Sequence, residues 1–156
     1  MSGSRPFTLL VVGLVAGLLG CDAMGQQRNA DAGQSGSESK EKQMKVTIGG
    51  KTFKAMLDDN PATAKLRTML PLALDMPDLN GNEKHAHLPA ALPTDASNPG
   101  TIQSGDLMLW GSDTLVVFYK GFKTSYTYTR LGRIDDPKEL PAAVGSGSVK
   151  VTFQMD

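Results

Sequence analysis

Residues 105–136, GDLMLWGSDTLVVFYKGFKTSYTYTRLGRIDD, commit the chain to a β architecture. Gly111, Ser112 and Asp113 supply turn chemistry between two apolar runs, residues 107–110 and 115–119. That spacing predicts an antiparallel hairpin. In the second run, LVVFY, every residue is apolar, so burial on both faces is expected. Lys120-Gly121 interrupts the run. Residues 126–134 then alternate more loosely, with Tyr126, Tyr128 and Arg130 on one face and Thr127, Thr129 and Leu131 on the other. Gly132 inside that strand predicts a bulge that resets the facing of Arg133 and Ile134.

The first forty residues follow different rules. Arg5 precedes an apolar run at residues 7–19 that falls short of the ~20 residues a membrane-spanning helix needs. A basic start, a short apolar stretch and small residues at its end are the layout of a secretory signal peptide. The run closes on Leu18-Leu19-Gly20-Cys21, and Cys21 is the only cysteine of the chain. These four residues resemble the lipobox of bacterial lipoproteins. The resemblance implies cleavage before Cys21, a diacylglyceryl thioether on its sulfur, an acylated amine, and a lipid bilayer as partner. The domain would then sit outside the cytoplasm, periplasmic or at the cell surface. The alternative is a free thiol left behind an ordinary signal peptide.

Residues 22–43 carry few large apolar side chains and much Gly, Ser, Gln and mixed charge. Such a segment cannot bury enough surface to offset its ordering entropy, so a disordered spacer is expected. The chain therefore divides into a lipoprotein signal peptide at 1–20, a lipidated cysteine and linker at 21–43, and a folded domain at 44–156. The formal net charge is zero and no basic run occurs, so nucleic acid is not indicated as a partner.

Within the domain, residues 45–48 and 51–57 alternate about Gly49-Gly50, which predicts a tight hairpin. Asn60 or Asp59 as N-cap and Pro61 at the first helical position open a helix, with Ala62, Leu66, Met69 and Leu70 as its apolar stripe and Pro71 as its end. Residues 72–76 read as a strand and 83–88 as a short alternating stretch. Residues 88–102, with Pro89, Pro93 and Pro99, read as an irregular excursion of the kind that lines pockets. A helical turn at 136–143 and a last strand at 146–155, with Val149, Val151 and Phe153 on one face, complete the count. About eight short strands and two short helices argue for an all-β barrel or sandwich.

Several segments, in this order, resemble the bacterial cyclophilin-like domain family: MKVTIGGKTF from Met44, LDDNPATAK from Leu57, LPL from Leu70, NGNEK from Asn80, GDL from Gly105, FYK from Phe118 and LGRIDD from Leu131. The resemblance implies a closed β-barrel of about eight strands with capping helices, related in fold to peptidyl-prolyl isomerases. NPATA from Asn60 is also similar to the helix start of true cyclophilins. The departures matter for activity. True cyclophilins carry a catalytic arginine in a Phe-His-Arg segment after that helix and a Phe-x-x-Gln-Gly-Gly-Asp run further on. Residues 70–78 hold neither arginine nor histidine, and the second run is missing.

Two groups of side chains are candidate sites. His85 and His87 share a strand face with Glu83, because side chains repeat every second residue. That pair is a weak metal candidate, since a site usually takes three or four ligands; the alternative is a polar strand edge near the barrel mouth. Trp110, Phe118, Tyr126 and Tyr128, with Arg130 and Arg133, suit a groove for a peptide or small ligand. The alternative for each is barrel core or solvated charge. No sequence feature calls for a cofactor. The leading expectation is a membrane-anchored, non-catalytic binding or accessory module. A degenerate prolyl isomerase and a weak metal-binding lipoprotein follow in that order.

Overall fold

The computed structural model describes Lys40 and residues 42–156. The segment expected to be a signal peptide, Cys21 and nearly all of the expected linker lie outside the described residues. Among the described residues there are eleven strands: β1 Gln43–Ile48, β2 Lys51–Leu57, β3 Leu72–Met76, β4 Asp78–Leu79, β5 Glu83–His87, β6 Thr101–Ile102, β7 Asp106–Trp110, β8 Thr114–Phe118, β9 Phe122–Lys123, β10 Thr129–Ile134 and β11 Val149–Met155. Among the described residues two complete helices accompany them, α1 Pro61–Arg67 and α2 Leu140–Val144. Nine strands form one sheet in the order β3-β11-β1-β2-β10-β7-β8-β5-β4, and β6 pairs with β9 apart from it. The end strands β3 and β4 are consecutive in the chain, with only Pro77 between them. The sheet therefore returns on itself as a nearly closed barrel, which leaves little free edge for wrong pairing.

The local chemistry accounts for these elements. β1 and β2 meet register for register across Gly49-Gly50, whose φ angles of 55° and 84° suit a two-residue hairpin turn. Asn60 caps α1 by accepting from the Thr63 amide at 2.9 Å, and Thr63 Oγ1 accepts from the Asn60 amide in return. The helix ends at Arg67, four residues before Pro71. The Thr68 amide turns back to the Lys65 and Leu66 carbonyls, so the last turn tightens there. Ala62 and Leu66 are buried, while Met69 and Leu70 pack on the core from outside the helix.

Alternate residues of the strands fill the barrel: Met44, Val46 and Ile48; Phe53, Ala55 and Leu57; Leu107 and Leu109; Leu115 and Val117; Val151 and Phe153. β8 is buried along its whole length because its other face is covered too. There Val116 and Phe118 join Met108, Ile102 and Tyr128 in a second apolar cluster, with Phe122 against it. The bulge falls between Arg130 and Gly132. Gly132 has φ 151°, and a Cβ there would lie 2.1 Å from the Met56 carbonyl oxygen. Only glycine lets β10 approach β2 so closely.

Lys84 is fully buried on the barrel side of β5. Its Nζ lies 3.0 Å from Asp78 Oδ1 and also donates to the Gly147 carbonyl. The Tyr119 hydroxyl donates to the same carboxylate. One buried cation thus ties β4, β5 and the chain after α2 into a single polar plug, with its charge paired as burial requires.

Candidate functional site

Three cross-strand rows build a wall on the outer face of the barrel. Trp110 pairs with Thr114, which pairs with His87; Met108 pairs with Val116, which pairs with His85; Phe118 pairs with Glu83. Because facing alternates along each strand, Glu83, His85 and His87 point away from Lys84 and Ala86. The segment after β8 folds back over this wall. Tyr128 is held there by a two-way backbone bridge with Ser97, both N–H···O distances being 3.0 Å. Between wall and segment lies a cavity of about 320 Å³, lined by Leu79, Asn80, Asn82, Glu83, His85, His87, Trp110, Thr114, Val116, Phe122, Tyr126 and Tyr128.

Two features separate this cavity from ordinary surface. Among the described residues the exposed large apolar side chains are Leu79, Trp110 and Tyr126, and all of them line it. Deeper in, Glu83 is only 7% exposed. Burial pushes its carboxyl up to about 7, and the negative charge of Asp78 adds to the shift. No hydrogen bond from the described residues reaches that carboxyl group. Burial and the nearby Glu83 also raise the Tyr128 phenol. At the mouth, His87 Nδ1 lies 3.3 Å from Thr114 Oγ1 and 3.4 Å from Asp113 Oδ1.

The candidates read from sequence divide. Trp110, Tyr126, Tyr128, His85 and His87, which formed two separate groups in the sequence, line one cavity. Phe118 does not line it; its fully buried ring lies in the second cluster beneath. Arg130 and Arg133 lie elsewhere. Arg130 Nε is 3.4 Å from Asp58 Oδ2, and Arg133 Nε is 3.7 Å from Asp106 Oδ1. The expected shared face of Tyr126, Tyr128 and Arg130 is corrected, because β10 starts only at Thr129 and the two tyrosines sit in irregular chain before it. Among the described residues no group of three or more His, Cys, Asp or Glu is placed to hold a metal ion. Glu83 was visible only as a face-mate of the histidines, and Asn82 carried no signal at all.

Comparison with known proteins supports the architecture. The family model described as cyclophilin-like family matches residues 46–154. The solution structure of a hypothetical protein from Archaeoglobus fulgidus superimposes with a TM-score of 0.54 at 15% identity, covering 73% of this chain and 94% of that one. At that identity the likeness speaks to fold alone. No curated protein matches the sequence.

Proposed function

The chain belongs to the cyclophilin-like family, and from that premise we propose that its domain is a non-catalytic binding module whose outer-face pocket takes a small ligand or a peptide side chain. The observation that carries this reading is the gathering of exposed apolar side chains. Leu79, Trp110 and Tyr126 stand together around one concave site instead of being scattered, and such a patch costs solubility unless something covers it.

The same pocket argues against prolyl isomerisation. That reaction crosses a barrier of ~18–20 kcal/mol and needs a donor aimed at the twisted amide. No arginine is among the lining residues, and Arg130 and Arg133 are engaged by Asp58 and Asp106. The fold alone does not confer the activity. We further propose that the protein is a lipoprotein, anchored through Cys21 with the domain outside the cytoplasm, on the strength of residues 18–21.

Trp110 is the only tryptophan, so its emission reports on the pocket directly. Titration of the full-length protein with small aromatic ligands and proline-containing tetrapeptides should shift or quench that emission saturably. In parallel, the tetrapeptides should isomerise at the uncatalysed rate. Turnover within about tenfold of an active cyclophilin would replace the binding module with an enzyme.

A further inference from the structure

We propose that this pocket selects an organic cation: a primary ammonium group on an apolar stem, the charge met by Glu83 and the stem by Trp110, Phe122 and Tyr126. The inference rests on the pocket being a binding site and names what it binds.

The argument is one of donors and acceptors. Glu83 is 7% exposed, and its carboxyl group accepts no hydrogen bond from the described residues, so what meets it must come from the cavity side. Asp78, on the neighbouring strand β4, shows what pairing looks like here: Lys84, Tyr119 and the Gly81 amide all donate to it. Glu83 receives none of these. Lys84, its neighbour in sequence, points to the opposite face and is committed to Asp78 and the Gly147 carbonyl. Asn82 lines the same cavity, and its Oδ1 is buried with no hydrogen-bond partner. No lysine or arginine is among the lining residues. The site therefore combines a carboxyl group and aromatic faces with no lysine or arginine to neutralise it.

A primary ammonium is the complement of such a site. It presents three donors and no acceptor, and aromatic faces attract its charge. A carboxylate ligand would instead meet Glu83 with like charge. The volume of about 320 Å³ is at the lower end of small-ligand sites, enough for one amine with a short aromatic or alkyl body.

Ionisation of Glu83 then couples to binding. The titratable groups packed around it are Asp78 on β4, His85 and His87 on its own strand, Lys84 behind it, Tyr119 beyond β8, and Tyr126 and Tyr128 across the cavity. A carboxyl that titrates near 7 is charged in most molecules at pH 8 and in few at pH 6. Ammonium affinity should rise about tenfold between those values. The Glu83→Gln variant is measured alongside to isolate the share of this carboxyl group.

The test uses the full-length protein, read by Trp110 emission and by calorimetry. The probes are phenethylamine and Nα-acetyl-lysine methylamide, each against its uncharged counterpart, 2-phenylethanol and Nα-acetyl-norleucine methylamide. At pH 8 an ammonium probe should bind at least about tenfold tighter than its counterpart, and Glu83→Gln should remove that preference while leaving the neutral probes within about twofold. Preference for phenethylamine assigns free amines as the ligand source, and preference for the lysine derivative assigns peptide side chains. Equal binding of charged and neutral probes overturns the selectivity and leaves the pocket reading intact. So does a neutral amide that binds better below pH 6, which would make a protonated Glu83 the donor. Absence of binding by all four probes overturns both.

Discussion

The ring of Tyr128 meets the ring of Phe118 edge-on, with centroids 5.6 Å apart and 88° between their planes. This contact joins the irregular segment after β8 to the outer face of the barrel. Phe122 approaches the same ring at 5.7 Å from the other end of the segment. Edge-to-face pairs contribute about 0.5–1.5 kcal/mol beyond simple burial. Phe118 therefore belongs to the foundation of the pocket, one layer below any ligand.

Phe118→Ala should accordingly destabilise the domain by about 3–5 kcal/mol, the range for a fully buried aromatic. Phe122→Ala, at a half-buried ring, should cost less. Urea unfolding of both variants gives the comparison. If Phe118→Ala cost no more than Phe122→Ala, the second apolar cluster would not hold the segment in place.

Lys84 makes a sharper case. Lys84→Ala leaves a void in the barrel and strips Asp78 of its cation, so it should destabilise the domain. Lys84→Met fills the space, and Asp78 keeps Tyr119 and Gly81 as donors, so the methionine variant should be the more stable of the two. Asp78 also predicts an acid limb. Its pKa is lowered from 3.8, first by the Tyr119 hydrogen bond and then by Lys84, so its contribution is present above 3.8 and lost as pH falls through the lowered value. Unfolding midpoints measured below pH 5 should show a shallower acid limb in Lys84→Met than in the native protein.

Glu83 has the opposite sign. Its carboxyl is raised from 4.5 to about 7, so the folded state holds the proton more tightly than the unfolded chain. Stability linked to this group is complete below 4.5 and declines as pH rises to about 7. Glu83→Gln should therefore stabilise the protein at pH 8 by about 1–2 kcal/mol, a figure reduced for the solvent that reaches the cavity, and change nothing at pH 4. Thermal melts at the two pH values decide it, and an equal gain at both would remove ionisation as the cause.

Anchoring is tested at Cys21. Cys21→Ser should move the protein from the membrane fraction to the soluble fraction and abolish any lipid mass on the mature N-terminus. A wild-type protein without lipid mass, together with a variant that still pellets with membranes, would refute the anchor.

Much of this architecture was legible in the chain. The Gly49-Gly50 hairpin, the Asn60-Pro61 helix start, the doubly buried β8 and the Gly132 bulge all appear where the residues indicate. The helix end did not, because Thr68 closes the turn by hydrogen bonds that residue spacing does not reveal. Of the site, the sequence named most of the aromatic and histidine lining but kept the two sets apart and added Arg130 and Arg133.

What the sequence determined by itself is whatever depends on neighbours along the chain: strand period, turn chemistry, the helix cap, and which residues alternate together. Only the tertiary structure decided that Trp110, Thr114 and His87 stand in one row, that Tyr128 covers the row beside them, and that Glu83 faces the cavity with no donor among the described residues while Lys84 next to it is paired with Asp78. Period two places Glu83 and Lys84 on opposite faces of a strand. Which face becomes barrel core and which becomes the wall of the cavity depends on what the segment after β8 lies against, because burial is a property of the packed surfaces and is not carried by either residue alone.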